Sequence, residues 1–143
     1  MVGEPAFIDT WGWIALGRRK DPRHAEAAEY YTALSRTGER IYTSDYVLDE
    51  AITLIFRRES FAEATRFINA IIEAASSGQI IIERVTPERF AAAWDLRVRL
   101  TDKARISFTD LTSMIIMREF GVSRVLSEDR HFTQVGLGFR LAP

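Results

Sequence analysis

Apolar positions along this chain change period repeatedly, and each change marks an element. Residues 5–9, "PAFID", form a short continuous apolar run that predicts a strand, and 10–17, "TWGWIALG", predicts a short helix closed by glycine. After a charged loop containing Asp21-Pro22, residues 23–38 carry alanines, tyrosines and a leucine at helical spacing and stop at Gly38. Residues 40–43, "RIYT", predict a second strand. The segment 44–58 predicts a helix with Val47, Ala51, Leu54 and Ile55 on one side. Another helix spans 60–78, with Ser60 as cap and Glu63 three residues on. "QIIIERV", 79–85, is a β-branched strand. A cap at Thr86 and a proline at the first helical position open a helix over 86–102. The segment 107–121 is a further helix, "VSRVLS" at 122–127 a strand, and "GFRLA" at 138–142 a last one.

Strands separated by helices imply a parallel sheet covered on both faces, a three-layer α/β/α sandwich. No repeat, low-complexity tract or linker interrupts the 143 residues, so one domain over residues 1–143 is expected. Trp94 and the phenylalanines are assigned to the core. In open parallel sheets the binding crevice lies beyond the carboxyl ends of the strands, where strand order reverses.

Composition narrows the function classes. An apolar fraction of 47% is that of a folded globular protein. The 19 basic and 20 acidic residues leave a net charge of −1, so bulk charge points neither toward nor away from nucleic acid. The absence of cysteine excludes disulfides, thiolate metal sites and cysteine nucleophiles. No apolar run follows a basic start, and the apolar runs are too short to span a bilayer, so a cytoplasmic location is expected and no membrane partner.

The candidate chemistry is acidic. Asp9 ends the first strand and Asp129 follows the strand at 122–127, in "VLSEDRHF". Glu50 lies early in the helix after the second strand, one turn from Tyr46 and Leu54; Asp49 is its rival. Asp110 lies in the first turn of the helix at 107–121, with Met114 and Met117 on the same face. Each has an ordinary structural explanation: helix cap for Asp9, capping box with Ser107 for Asp110, solvated face for Glu50, turn for Asp129. Taken together, they can converge at one crevice. Clustered like charges repel, so such a group makes sense with a divalent cation, and oxygen ligands suit Mg²⁺ or Mn²⁺.

"FIDT", "TSDYVLDE", "SFTDLTSMIIM" and "VLSEDRHF", in that order, resemble the acidic motifs of the PIN-domain nucleases, and among those most of all the VapC-type toxins. "DPRHAEA" resembles the loop and second helix of many members. The resemblance spans about residues 6–132. It implies a Mg²⁺- or Mn²⁺-dependent endoribonuclease with Asp9, Glu50, Asp110 and Asp129 as the acidic cluster. It also implies a homodimer and a small cognate antitoxin that blocks the site. One departure is Trp11 and Trp13 after Asp9, where the family often has smaller residues.

Thr10, Thr109 and Ser127 neighbour the acids. Thr10 and Ser127 are candidates to hold a metal-bound water or to orient a carboxylate, and Thr109 reads as a cap. Arg18, Arg19 and Lys20 form a basic loop that could hold RNA phosphates, and Arg97, Arg99, Lys103 and Arg105 a second basic stretch; both also read as solvated surface. His24 and His131 read as structural or surface residues. "FINAIIEAA", within 67–75, is apolar over more of its circumference than one sheet face requires, which favours a homodimer; burial within the monomer explains it nearly as well. A response-regulator receiver is set aside, because the third strand ends without an aspartate and no lysine follows Lys103. Two further readings stay open: a housekeeping RNA-processing nuclease without an antitoxin, and a non-catalytic scaffold binding RNA or protein.

Overall fold

The computed structural model describes residues 3–143, with five strands and seven helices among them. The strands are β1 (Ala6–Ile8), β2 (Ile41–Ser44), β3 (Ile80–Glu83), β4 (Arg124–Leu126) and β5 (Arg140–Ala142). The helices are α1 (Thr10–Gly17), α2 (His24–Thr37), α3 (Asp45–Arg58), α4 (Phe61–Ser76), α5 (Pro87–Arg99), α6 (Phe108–Phe120) and α7 (His131–Gln134). The strands form one sheet in the order β3-β2-β1-β4-β5, parallel throughout. From β1 the chain steps outward to β2 and β3, then crosses back to β4 and β5 on the other side. Right-handed crossovers therefore put α1–α4 on one face and α5–α7 on the other. The expected three-layer arrangement is the one found.

Most elements start where their caps dictate. Ser44, Ser60, Thr86 and Ser107 each accept a hydrogen bond from the backbone N–H three residues on. β1, β3, β4 and β5 are shorter than the predicted runs, and β2 keeps its length of four residues but starts one residue later. The short helix α7 was not anticipated: four residues are too few to show a helical period.

The core is continuous, from Phe7 and Ile8 through Ile14, Leu34, Ile55, Leu111 and Met114 to Phe132. Trp94 and four of the phenylalanines assigned to it lie instead at the surface, Phe56, Phe90 and Phe120 among them. Trp94 is 56% exposed and Phe61 78% exposed. On α5 the buried positions are Ala93 and Leu96, which turns Trp94 outward. Phe61 opens α4 and meets Phe56 edge-on, with ring centroids 5.5 Å apart. In α4, Ala64, Ile68 and Ile71 form the buried stripe, so burial within the monomer accounts for most of that helix's apolar surplus; Ile72 stays exposed.

The sheet order fixes the location of the crevice. β1 and β4 are neighbours, yet the chain leaves them in opposite directions. The reversal point thus lies at their carboxyl ends, where Asp9 and the segment 127–129 emerge.

Candidate active site

Asp9 directly follows β1 and caps α1. It is fully buried, and its Oδ1 accepts a hydrogen bond from the Gly12 N–H at 2.9 Å. Gly12 is indispensable to this turn. A Cβ there would stand 2.3 Å from the Leu126 carbonyl oxygen, so only glycine lets α1 pack this closely on β4. The other Asp9 oxygen accepts from the Ser127 hydroxyl at 2.5 Å, and that hydroxyl in turn accepts from the Asp129 N–H at 2.9 Å. One serine thus ties together the acids that follow β1 and β4. Trp13 is buried, and its indole N–H donates to Thr43 Oγ1 at 2.9 Å, away from the acids. Trp11 instead forms a wall of the acidic cleft, with the Arg58 guanidinium 5.7 Å from its ring centroid.

That cleft, about 220 Å³, is lined by Trp11, Glu50, Leu54, Arg105, Ser107, Asp110, Asp129 and His131. Glu50 is on it and Asp49 is not. Asp110 sits in the first turn of α6, with its N–H donating to Ser107 Oγ at 3.0 Å. Asp129 closes a turn, accepting from the His131 N–H at 2.9 Å. The cap explanation therefore holds for Asp9 and the turn explanation for Asp129, and both coexist with convergence at one site; on α6 the cap is Ser107, which accepts from the Asp110 N–H.

The donor atoms of Asp110, Asp129 and His131 all lie within 4.8 Å of one another. Neither Asp9 nor Glu50 joins a group of three at that spacing. Asp9 lies behind this trio and is coupled to it by charge.

Electrostatics sets the site apart. Among the described residues, no lysine or arginine forms an ion pair with Asp9, Glu50, Asp110 or Asp129. Burial pushes the Asp9 carboxyl up to about 7; the hydrogen bonds from Ser127 and Gly12 pull it down, and the charges of Asp129 and Glu50 push it up again. Asp110 is likewise held well above the ordinary carboxylate range, first by burial, then by its hydrogen bond with Asp129 and by the charges of Asp9 and Asp129. Carboxylates raised by one another's charge are relieved by a cation. An oxygen-rich donor set lacking any protein cation in ion-pair contact fits a divalent metal.

Thr10 is buried beside Asp9, and its hydroxyl has no hydrogen-bond partner among the described residues. The Thr109 carbonyl accepts from the Thr112 and Ser113 hydroxyls within α6. Arg18 is paired with Glu59 at 3.0 Å. Arg19 and Lys20 line a different groove, of about 560 Å³, with Glu59, Glu63, Arg66 and Phe67. In the second basic stretch, Arg97 donates to the carbonyls of Leu100, Lys103 and Ile106 and so holds the α5–α6 loop. Arg105 alone of that stretch reaches the acidic cleft. Of the two histidines, His24 is structural, its Nδ1 2.8 Å from the Ala15 carbonyl oxygen. His131 belongs to the site, contrary to its reading as a structural or surface residue. Its spacing of two from Asp129 was the available signal, but a lone histidine carries little weight until the fold places it.

The family model for the PIN domain matches residues 6–137. The chain belongs to the PIN-domain family. It is a homologue of the VapC toxins: over 130 residues it is 32% identical to the 23S rRNA-specific endonuclease VapC20 of Mycobacterium tuberculosis, covering 91% of this chain and 93% of that protein. The crystal structure of VapC20, a sarcin–ricin-loop-cleaving toxin, matches with a TM-score of 0.77 at 29% identity, covering 92% of this chain and 95% of that one. VapBC2 from Rickettsia felis, solved bound to a fragment of its promoter DNA, matches with a TM-score of 0.72 at 14% identity, covering 96% of each chain; that likeness bears on the fold alone. No helix among the described residues is long and apolar enough to cross a membrane.

Proposed function

We propose that this PIN-domain protein is a divalent-metal-dependent endoribonuclease, the toxin of a toxin–antitoxin pair. It works in the cytoplasm as a homodimer, each chain a single nuclease domain over residues 1–143, and a small cognate antitoxin blocks its site. The observation that carries the metal-dependent part is the set of converging acids without a cationic partner, two of them raised above the ordinary carboxylate range.

Asp110 and Asp129 would hold the cation with Glu50 on the same cleft, and Asp9 would add to the negative field from behind them. Ser127 positions Asp9 and Asp129 together through its two hydrogen bonds. Thr10 stands beside Asp9 with a buried hydroxyl that has no partner among the described residues. When bound, Mg²⁺ or Mn²⁺ neutralises charge on the phosphodiester and lowers the pKa of the attacking water. Arg105, exposed at the cleft, attracts the RNA backbone, and the groove lined by Arg19 and Lys20 offers a second stretch of phosphate contact.

VapC20 acts on 23S rRNA, which makes an RNA carrying the sarcin–ricin loop the first substrate to try. The test is cleavage of that RNA, and of unrelated single-stranded RNA, with EDTA and then with Mg²⁺ restored. Cleavage abolished by EDTA and recovered with Mg²⁺ is the expected result. Cleavage that persists in EDTA contradicts metal dependence. Tight RNA binding without cleavage under either condition supports a binding scaffold instead.

A further inference from the structure

We propose that His131 is a direct ligand of the divalent cation taken up at this site, and that it tilts the site toward transition-metal cations over Mg²⁺. The inference rests on the metal-dependent reading above and adds to it a nitrogen donor that four acidic residues alone would not provide.

The geometry comes first. An imidazole nitrogen of His131 and one oxygen each of Asp110 and Asp129 lie within 4.8 Å of one another, a spacing that one ion can span. His131 Nδ1 is 3.1 Å from Asp129 Oδ1, the same oxygen that accepts the His131 backbone N–H. The ring is thus held at the start of α7 by the residue that shares its site. It is half-buried, it lines the acidic cleft, and it has no hydrogen-bond partner outside the Asp129 side chain among the described residues. His24 shows the alternative: there the ring nitrogen is committed to a backbone carbonyl on a neighbouring helix. Among the described residues, only Asp129, itself in the cleft, holds the His131 ring.

Ligand chemistry supplies the consequence. Mg²⁺ prefers oxygen donors and keeps its waters, and it gains little from an imidazole. First-row transition ions bind nitrogen donors well, with affinity rising from Mn²⁺ to Co²⁺. A site with carboxylates and one imidazole therefore favours Mn²⁺, and Co²⁺ more strongly, relative to a site made of carboxylates alone.

Two measurements on the purified chain test this, with His131→Asn, His131→Gln and Asp110→Asn beside the wild type. Pulsed EPR of the Mn²⁺-loaded protein reads nitrogen bound directly to the metal. The wild type should show that coupling and both His131 variants should lose it while still binding Mn²⁺. Calorimetric titration should show the His131 variants losing affinity for Co²⁺ by on the order of 10-fold or more, for Mn²⁺ by less, and for Mg²⁺ hardly at all. A wild type with no nitrogen coupling overturns the proposal. So does equal weakening of all three ions, which would make His131 only a support for Asp129. A wild type that binds none of the ions removes the metal-dependent reading itself. Loss of binding in Asp110→Asn with unchanged binding and spectra in the His131 variants removes only the role of His131.

Discussion

The two ends of the same strands treat charge in opposite ways. At the amino end of the sheet, Glu4 precedes β1 and meets two arginines, Arg140 of β5 at 2.8 Å and Arg124 of β4 at 3.6 Å. At the carboxyl end, Asp9 follows β1, Asp129 follows β4, and Asp110 faces them from α6, with no lysine or arginine among the described residues paired to any of the three. One acid with two cations stabilises a fold edge. Three acids with none cost stability, most of all where they are buried. At that same carboxyl end Glu83 pairs with Arg89 at 2.9 Å and Glu128 meets Arg23 at 3.8 Å, so the missing cation is particular to the cleft acids, as the proposed metal site requires.

Cleavage should separate the two ends most sharply. Asp110→Asn is expected to lower RNA cleavage by on the order of 100-fold or more, since outer partners of metal ligands already cost ~10–100-fold. Arg140→Ala should leave cleavage unchanged. Comparable losses in both variants, measured as initial rates at saturating Mg²⁺, would erase the contrast.

A smaller effect is expected from Ser127→Ala, on the order of 10-fold. That hydroxyl steadies the ionised form of Asp9, so its removal raises the Asp9 pKa further. The acidic limb of the pH–rate profile should then move to higher pH. A lower rate with an unmoved limb would mean that Ser127 acts through packing alone.

Metal-free stability comes next. Asp9 titrates at 3.8 as an ordinary carboxyl and at about 7 in the folded chain, and Asp110 is raised as well. The native state therefore binds these protons more tightly than the unfolded chain. The stability they contribute is fully present below about pH 4 and is lost as pH rises, through about 7 for Asp9 and about 9 for Asp110. Asp110→Asn removes one of the repelling charges. Denaturant melts in EDTA should thus show little difference near pH 4 and a variant more stable than wild type by on the order of 1 kcal/mol above pH 7. A variant less stable at high pH would show that a carboxylate in the first turn of α6 stabilises the helix by more than the repulsion costs.

The smallest effect belongs to the matched end. Arg140 is half exposed, so Arg140→Ala should cost only about 0.2–1 kcal/mol, and less at high salt. A cost several times larger would show that the pairing around Glu4 anchors the sheet.

Much of this was legible in the sequence, because caps and periods are local. The boundaries of α1 and the starts of α3, α4, α5 and α6 follow from residues a few positions apart. The acids could be named because each stands where a strand ends or a helix begins. What remained hidden depends on contacts distant in the chain. Ser127 reaches Asp9 across 118 positions, and no local pattern announces that bond. Gly12 matters only because β4 passes beside α1. His131 and Arg105 become site residues only once the α5–α6 loop and α7 are brought to the cleft. The outward turn of Trp94 was missed for a related reason: a large aromatic residue is expected inside, and only the packing of Ala93 and Leu96 shows which face of α5 is covered.

The account rests on the acids at the carboxyl end of the sheet binding a divalent cation. Thermal melts of wild type and Asp110→Asn, in EDTA and in saturating Mn²⁺, test this most directly. An ion that binds only the folded state at 100 times its dissociation constant stabilises by about 2.7 kcal/mol, so the wild-type melting temperature should rise by several degrees. The variant should respond much less. Equal Mn²⁺ shifts in the two proteins would contradict the account and leave Asp110 as a first-turn residue of α6 with no part in holding metal.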